Sequence, residues 1–219
     1  MSAPRIALIH AMPVAIDPVA QVFRENWAAA RVTHLLDDAL PADLTAEGSI
    51  TPAIVERFVA LARYSEKCGA DAILFTCSAF GTAIEAARGA VRVPVLKPNE
   101  AMLEEALAAG SDLAVIATFE PSVPSLQKEF EALASSRGIK LKLRTRTVPA
   151  AIAALQKGEA MEHDRLIAAA AAELPACDAL VLGQFSMARA AARIATASGR
   201  KVLTSPHSAV TKLKQLFDA

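Results

Sequence analysis

Shifted by 107 residues, the chain falls into register with itself. Ala7 and Ile9 meet Ala114 and Ile116, Phe23 meets Phe130, Asp71-Ala72 meets Asp178-Ala179, and Leu96 meets Leu203. Alanine is so common here that single identities carry little. The constant phase of turn, strand and helix carries more. Short apolar strands are read at 5–9, 32–36, 72–75 and 93–96, and again at 112–117, 140–148, 178–182 and 201–204. Helical stretches separate them, among them one opened by Thr51-Pro52, an N-cap followed by proline at the first helical position. Strands alternating with helices predict parallel sheets and an α/β class. The expectation is two similar Rossmann-like parallel-sheet domains related by a pseudo-two-fold axis, with the site in the interdomain cleft. The first domain is read as 1–98 plus 205–219, because the final segment runs past the second unit. The second is read as 99–204. The stretch 39–49, with Asp43, Thr45 and Gly48, reads as a mobile loop beside the cleft.

Composition excludes several function classes. The chain is 53% hydrophobic and 21% charged, with a formal net charge of zero. No run of Lys or Arg suggests a nucleic-acid or anionic-membrane partner. No apolar stretch is long enough to span a membrane. The opening Met1-Ser2-Ala3-Pro4 does not read as a signal peptide. Cys68, Cys77 and Cys177 are too few and too scattered for a disulfide framework or a zinc site, so no metal is expected and a cytoplasmic location fits.

Candidate chemistry concentrates at Asp71-Ala72-Ile73-Leu74-Phe75-Thr76-Cys77-Ser78-Ala79-Phe80-Gly81. The uninterrupted run Ala72 to Phe75 is that of a parallel strand covered on both faces. Cys77 and Ser78 then fall at its carboxyl end, where open α/β sheets take their ligands. A thiol at the start of a helix is expected to lean toward thiolate. The alternative is a buried structural cysteine. Under the 107-residue shift Cys77 lies over Gln184 and Ser78 over Phe185. His10-Ala11 lies over Ala117-Thr118, and Lys97-Pro98-Asn99 over Thr204-Ser205-Pro206. The candidate binding groups are therefore His10, Ser78, Ala79, Thr118, Phe185, Ser186, Ser205 and His207, with Cys77 and Gln184 as the candidate catalytic pair. Thr118 reads equally as a turn cap, and His10 and His207 equally as ordinary terminal histidines. His34 and His163 read as structural or exposed. Lys97 reads as a carboxylate partner or a solvated charge, and Asn99 and Glu100 as helix caps.

The pair Thr76-Cys77-Ser78-Ala79-Phe80-Gly81 and Val181-Leu182-Gly183-Gln184-Phe185-Ser186 resembles the strand ends of the aspartate/glutamate/hydantoin racemase superfamily, over nearly the whole chain. The resemblance implies chemistry without metal or organic cofactor, in which a thiolate removes the proton alpha to a carboxylate and a second thiol on the opposite face returns one. It implies a small carboxylate substrate, and a homodimer is common in such proteins. This chain departs from the pattern at Gln184, where the second cysteine would stand. A glutamine amide hydrogen-bonds but does not act as acid or base near neutral pH. Cys177 sits at the opposite end of its strand and is no replacement. The implied activities are a racemase or isomerase using Cys77, a decarboxylase of a substituted malonate-like acid, or a binding protein without catalysis.

Overall fold

The computed structural model describes residues 3–218. It divides into two compact units, one formed by residues up to Pro98 with those from Ala209 onward, the other by Asn99–Ser208. In the first, β1 (Arg5–His10), β2 (Arg31–Leu36), β3 (Ala72–Phe75) and β4 (Val95–Leu96) form a parallel sheet in the order β2-β1-β3-β4. Helices α1 (Ile16–Asn26), α2 (Leu40–Glu47), α3 (Pro52–Lys67) and α4 (Gly81–Gly89) connect these strands. The second unit repeats the plan. It has α5 (Glu100–Ala109), β5 (Asp112–Ala117), α6 (Val123–Ser136), β6 (Lys142–Thr147), α7 (Pro149–Gln156), α8 (Ala160–Glu173), β7 (Ala179–Leu182), α9 (Ala191–Ser198) and β8 (Val202–Thr204), with the sheet order β6-β5-β7-β8. The last helix, α10 (Ser205–Asp218), gives its first turn to the second unit and the remainder to the first.

The repeat holds to the residue in most places. Adding 107 carries β1 onto β5, β3 onto β7, and the start of α1 onto the start of α6. The same shift relates two strand-start carboxylates. Asp71 accepts the Arg5 N–H at 2.7 Å, and Asp178 accepts the N–H groups of Ser111 and Asp112 at 2.9 Å each. In each unit an aspartate thus satisfies the first backbone donor of the neighbouring strand, a group the ladder leaves over. The carboxylate of Asp178 also fills the space above Gly110, where a Cβ would lie 2.1 Å from Oδ2 and where φ is +158°. Gly110→Ala is expected to lower stability by about 1–3 kcal/mol, read as a shift in the urea midpoint.

Central strands are buried on both faces, as their uninterrupted apolar runs require. In the first unit Ala7, Ile9, Ile73 and Phe75 pack with Phe58 of α3 and with Ile84 and Ala87 of α4. In the second, β5 and β7 split their side chains between two cores. Leu113, Val115 and Val181 pack with Phe130 of α6, and Ala114, Ile116, Leu180 and Leu182 with Ile167 of α8 and Ile194 of α9.

Two local expectations are corrected. Residues 39–49 are not a loop but hold α2. Pro41 lies in its first turn, Leu40 is buried, and Gly48 closes it in the left-handed region at φ +69° with its N–H on Leu44 O. Arg57 of α3 anchors the segment, through Asp37 just before it at 2.6 Å and through Asp43 within α2. Strand β4 is shorter than 93–96 because Pro94 has no N–H for a ladder. Thr51 caps α3 as its sequence predicts, accepting from Ile54 N at 3.4 Å.

Candidate functional site

In each sheet the first strand lies between its two successors, so the chain reverses direction between β1 and β3 and again between β5 and β7. Ligands of open α/β sheets bind outside the carboxyl ends at such a switch point. The residues found there in the first unit are His10, Ala11, Thr76, Cys77, Ser78 and Ala79. In the second they are Thr118, Gln184, Phe185 and Ser186. The candidates thus gather at the switch point of their own unit, except Ser205 and His207, which follow β8.

Cys77 is extended (φ −123°, ψ 118°) and precedes one turn of 3-10 helix, Ser78–Phe80, before α4 begins at Gly81. Three residues therefore separate the thiol from the α-helix, and the dipole advantage expected for it falls off over that distance. Burial pushes the Cys77 thiol up, and the Ala79 N–H donated to the sulfur opposes this only in part. The expectation of a thiolate at rest is corrected: near neutral pH the group rests as a thiol. Ile9, His10, Ala11, Leu40, Phe58 and Phe75 border the same small hollow as Cys77, which leaves no room for a water molecule.

His10 is fully buried and both of its ring nitrogens are occupied. Nδ1 lies 2.9 Å from Thr76 Oγ1, and Nε2 lies 3.0 Å from Nδ1 of His34. Strand register explains this row. Leu8 pairs with His34, so His10 is the diagonal neighbour of His34 on the same face, and Thr76 follows Phe75, the partner of Ile9. Burial, then the neighbouring His34, pulls His10 down to about 4. Burial also lowers His34, against the opposing charge of Asp17. The sign for stability follows. Above about 6.5 His10 is neutral in both states; below it the unfolded chain takes a proton that the native state refuses. Stability is expected to fall by up to about 3 kcal/mol as pH drops from 6.5 toward 4, measured by urea unfolding, with His10→Asn flattening that decline.

At the second switch point Gln184 is held by three bonds. Its Oε1 accepts from Thr118 N at 2.8 Å and Thr118 Oγ1 at 3.3 Å, and its Nε2 donates to Ser122 Oγ at 2.9 Å. Ser122 in turn donates to Phe119 O at 2.7 Å. Thr118 is thus no cap; it and Gln184 lock the β5 and β7 loops together. Phe185 and Ser186 are buried in the 3-10 turn that follows. Ser205 is buried and donates to Asn99 Oδ1 at 2.8 Å, so Asn99 holds Ser205 with the side chain expected to cap α5. His207 is exposed, 3.3 Å from Thr204 Oγ1. Lys97 pairs with Glu85 at 2.8 Å. His163 is buried against Asp164 at 2.7 Å, inside the second unit. Ser122 and His34 were not among the sequence candidates. The signal for both is pairing register, which a single sequence does not print.

Paired α/β units, each with a polar strand-end cluster at its switch point, define a narrow class of protein. The Asp/Glu/Hydantoin racemase family model matches residues 19–213. The chain belongs to that family. No curated protein matches its sequence. Among solved structures, allantoin racemase from Klebsiella pneumoniae is similar with a TM-score of 0.69 at 17% identity, over 99% of this chain and 88% of that one. A glutamate racemase from Bacillus anthracis gives 0.72 at 14%, over 100% and 83%. Aspartate racemase from Picrophilus torridus gives 0.69 at 15%, over 93% and 90%. At such identities the likeness is one of fold. No helix among the described residues is long and apolar enough to cross a membrane.

Proposed function

We propose that the protein is a cofactor-independent racemase or isomerase that moves a proton at the carbon alpha to the carboxylate of a small acid, with Cys77 as the proton-transferring group. The observation that carries this reading is the Cys77-Ser78 pair at the carboxyl end of β3, with the Ala79 N–H on the sulfur. An alpha proton is weakly acidic, so its removal needs donors aimed at the developing enolate in a site closed to water. The Ser78 hydroxyl and the Ser78 backbone N–H suit that role, while the Ala79 N–H stays on the sulfur. Gln184 holds Thr118 and Ser122 in place at the switch point of the second unit. A substrate carboxylate beside the sulfur disfavours the thiolate, so the Ser78 and Ala79 donors must offset that charge as well as the burial of the sulfur.

A second reading is supported by one feature. A lone thiol that rests protonated is suited to giving a proton to a carbanion, the step a decarboxylase of a malonate-like acid requires. Arylmalonate decarboxylase is among the structural neighbours, with a TM-score of 0.62 at 16% identity. Proton NMR in deuterated water, on amino acids, hydroxy acids, maleate and substituted malonates, separates the two. Cys77-dependent loss of an alpha-proton signal without loss of mass supports the isomerase. A decarboxylated, deuterated product replaces it with the lyase. No exchange and no product across the panel overturns both.

A further inference from the structure

A cavity of about 310 Å³ opens along the outer edge of the first sheet, wholly within the first unit. It lies between α1 and β2, the outermost strand of that sheet. From α1 and the residue that closes it come Ala20, Phe23, Arg24 and Trp27, spaced i, i+3, i+4 and i+7, the positions of one helix face. From β2 come Val32 and His34, which strand alternation puts on one face of the sheet. Protein interiors are ordinarily packed without voids of this size. Here the small side chains of Ala20 and Ala28 leave the gap between helix and strand unfilled. Its volume stands at the lower end of the range of about 300–1,000 Å³ that small-molecule sites occupy.

Two features define what fits it. The first is a fixed aromatic wall. Trp27 stacks on Phe23 with centroids 6.0 Å apart and also meets Phe217 of α10 at 5.8 Å. The second is an uncompensated charge. The residues at helical pairing distance from Arg24 are Ala20, Gln21, Trp27 and Ala28, none of them acidic. The adjacent Glu25 accepts from Gln21 at 2.8 Å instead. Among the described residues Arg24 makes no hydrogen bond or ion pair. Asp17, the acidic group that acts on His34, stands about two turns away toward the start of α1. His34 spends its Nδ1 on His10 at 3.0 Å, and its Nε2 has no partner among the described residues.

We propose that this cavity is a binding site for a small carboxylate with a flat apolar body, its carboxylate on Arg24 and its body against Phe23, Trp27 and Val32. A guanidinium presents two parallel N–H groups that match a carboxylate, and the His34 Nε2 offers a further polar contact. The exposed ion pair alone is worth little, so the apolar wall must supply part of the affinity. The cavity shares no residue with the hollow beside Cys77. It does not rest on the reading of Cys77 as a proton-transfer group, so its test stands whether or not exchange is found.

Trp27 is the single tryptophan of the chain, so protein fluorescence reports on this wall. Phenylacetate is expected to change that fluorescence saturably with a Kd of about 0.1–1 mM, the affinity that roughly ten non-hydrogen atoms support. Phenylacetamide has the same shape without the charge and is expected to bind about 10-fold more weakly. Arg24→Gln is expected to weaken phenylacetate by about the same factor. Arg24 is exposed and unpaired among the described residues, so this variant keeps the fold. Cys77→Ala is expected to leave the Kd unchanged. In protein labelled with 15N-histidine, the His34 ring signals are expected to move with the same Kd, while those of His163 in the second unit stay in place. No saturable change up to about 10 mM, equal binding of the amide, or wild-type affinity in Arg24→Gln overturns the site. So does binding that is lost in Cys77→Ala, which assigns phenylacetate to the strand end instead.

Discussion

Replacing Cys77 with alanine is expected to lower the rate of alpha-proton exchange by about 100- to 10,000-fold, the range that one positioned acid or base contributes. The size follows from position. Gln184 occupies the corresponding place in the second unit and has no proton to trade, and its amide is already spent on Thr118 and Ser122. No second thiol is present at that switch point to carry a residual reaction. Cys77→Ser separates proton transfer from packing. A serine hydroxyl fills nearly the same space and accepts the Ala79 N–H, but it ionises far too weakly to serve as base. Both variants should therefore fall together in kcat while keeping the wild-type urea midpoint within about 0.5–1.5 kcal/mol. Because burial raises the thiol, wild-type exchange should increase with pH through the titration of Cys77. That rise should match the pH dependence of Cys77 alkylation by iodoacetamide. A serine variant that keeps wild-type kcat would remove Cys77 from the chemistry.

What the sequence made legible has a physical pattern. Strands buried on both faces are written as unbroken apolar runs, so β3 and β7 are readable directly, and the 107-residue phase carries each onto the other. Cys77 at a strand end is readable for the same reason. Residues 39–49 misled because Asp43, Thr45 and Gly48 look like loop chemistry one by one. The helix there depends on tertiary partners, the burial of Leu40 and the grip of Arg57 on Asp37 and Asp43. The ionisation of Cys77 misled because dipole reasoning is local, whereas desolvation depends on Phe58 and Leu40, far away in sequence. His34 and Ser122 were invisible because their importance lies in register. Nothing at position 34 announces that position 10 lies diagonally across the ladder.

The strongest link between packing and chemistry runs through Phe58. Its ring is 2% exposed, with centroids 5.1 Å from Phe75 and 5.0 Å from Phe80, and it borders the hollow shared with Cys77. Phe58→Ala is expected to cost about 3–5 kcal/mol, from lost transfer energy and the cavity left by the ring. The cavity has a second effect. The hollow beside Cys77 now excludes water, and that exclusion is what raises the thiol. Opening it allows water to reach the sulfur, so the thiolate becomes easier to form and the pH dependence of Cys77 alkylation should shift downward. Phe130→Ala provides the control. Phe130 is fully buried among the side chains of the second unit, so its loss should destabilise by a similar amount without moving the Cys77 profile. Urea unfolding gives the first quantity and iodoacetamide kinetics against pH the second. If Phe58→Ala is destabilised but the alkylation profile stays where it was, the packing of α3 does not set the thiol, and the Ala79 N–H and the 3-10 turn are left as its determinants. If the profile shifts down, the apolar wall built by α3 is what holds Cys77 protonated, and the substrate's own binding must supply the donors that release the proton.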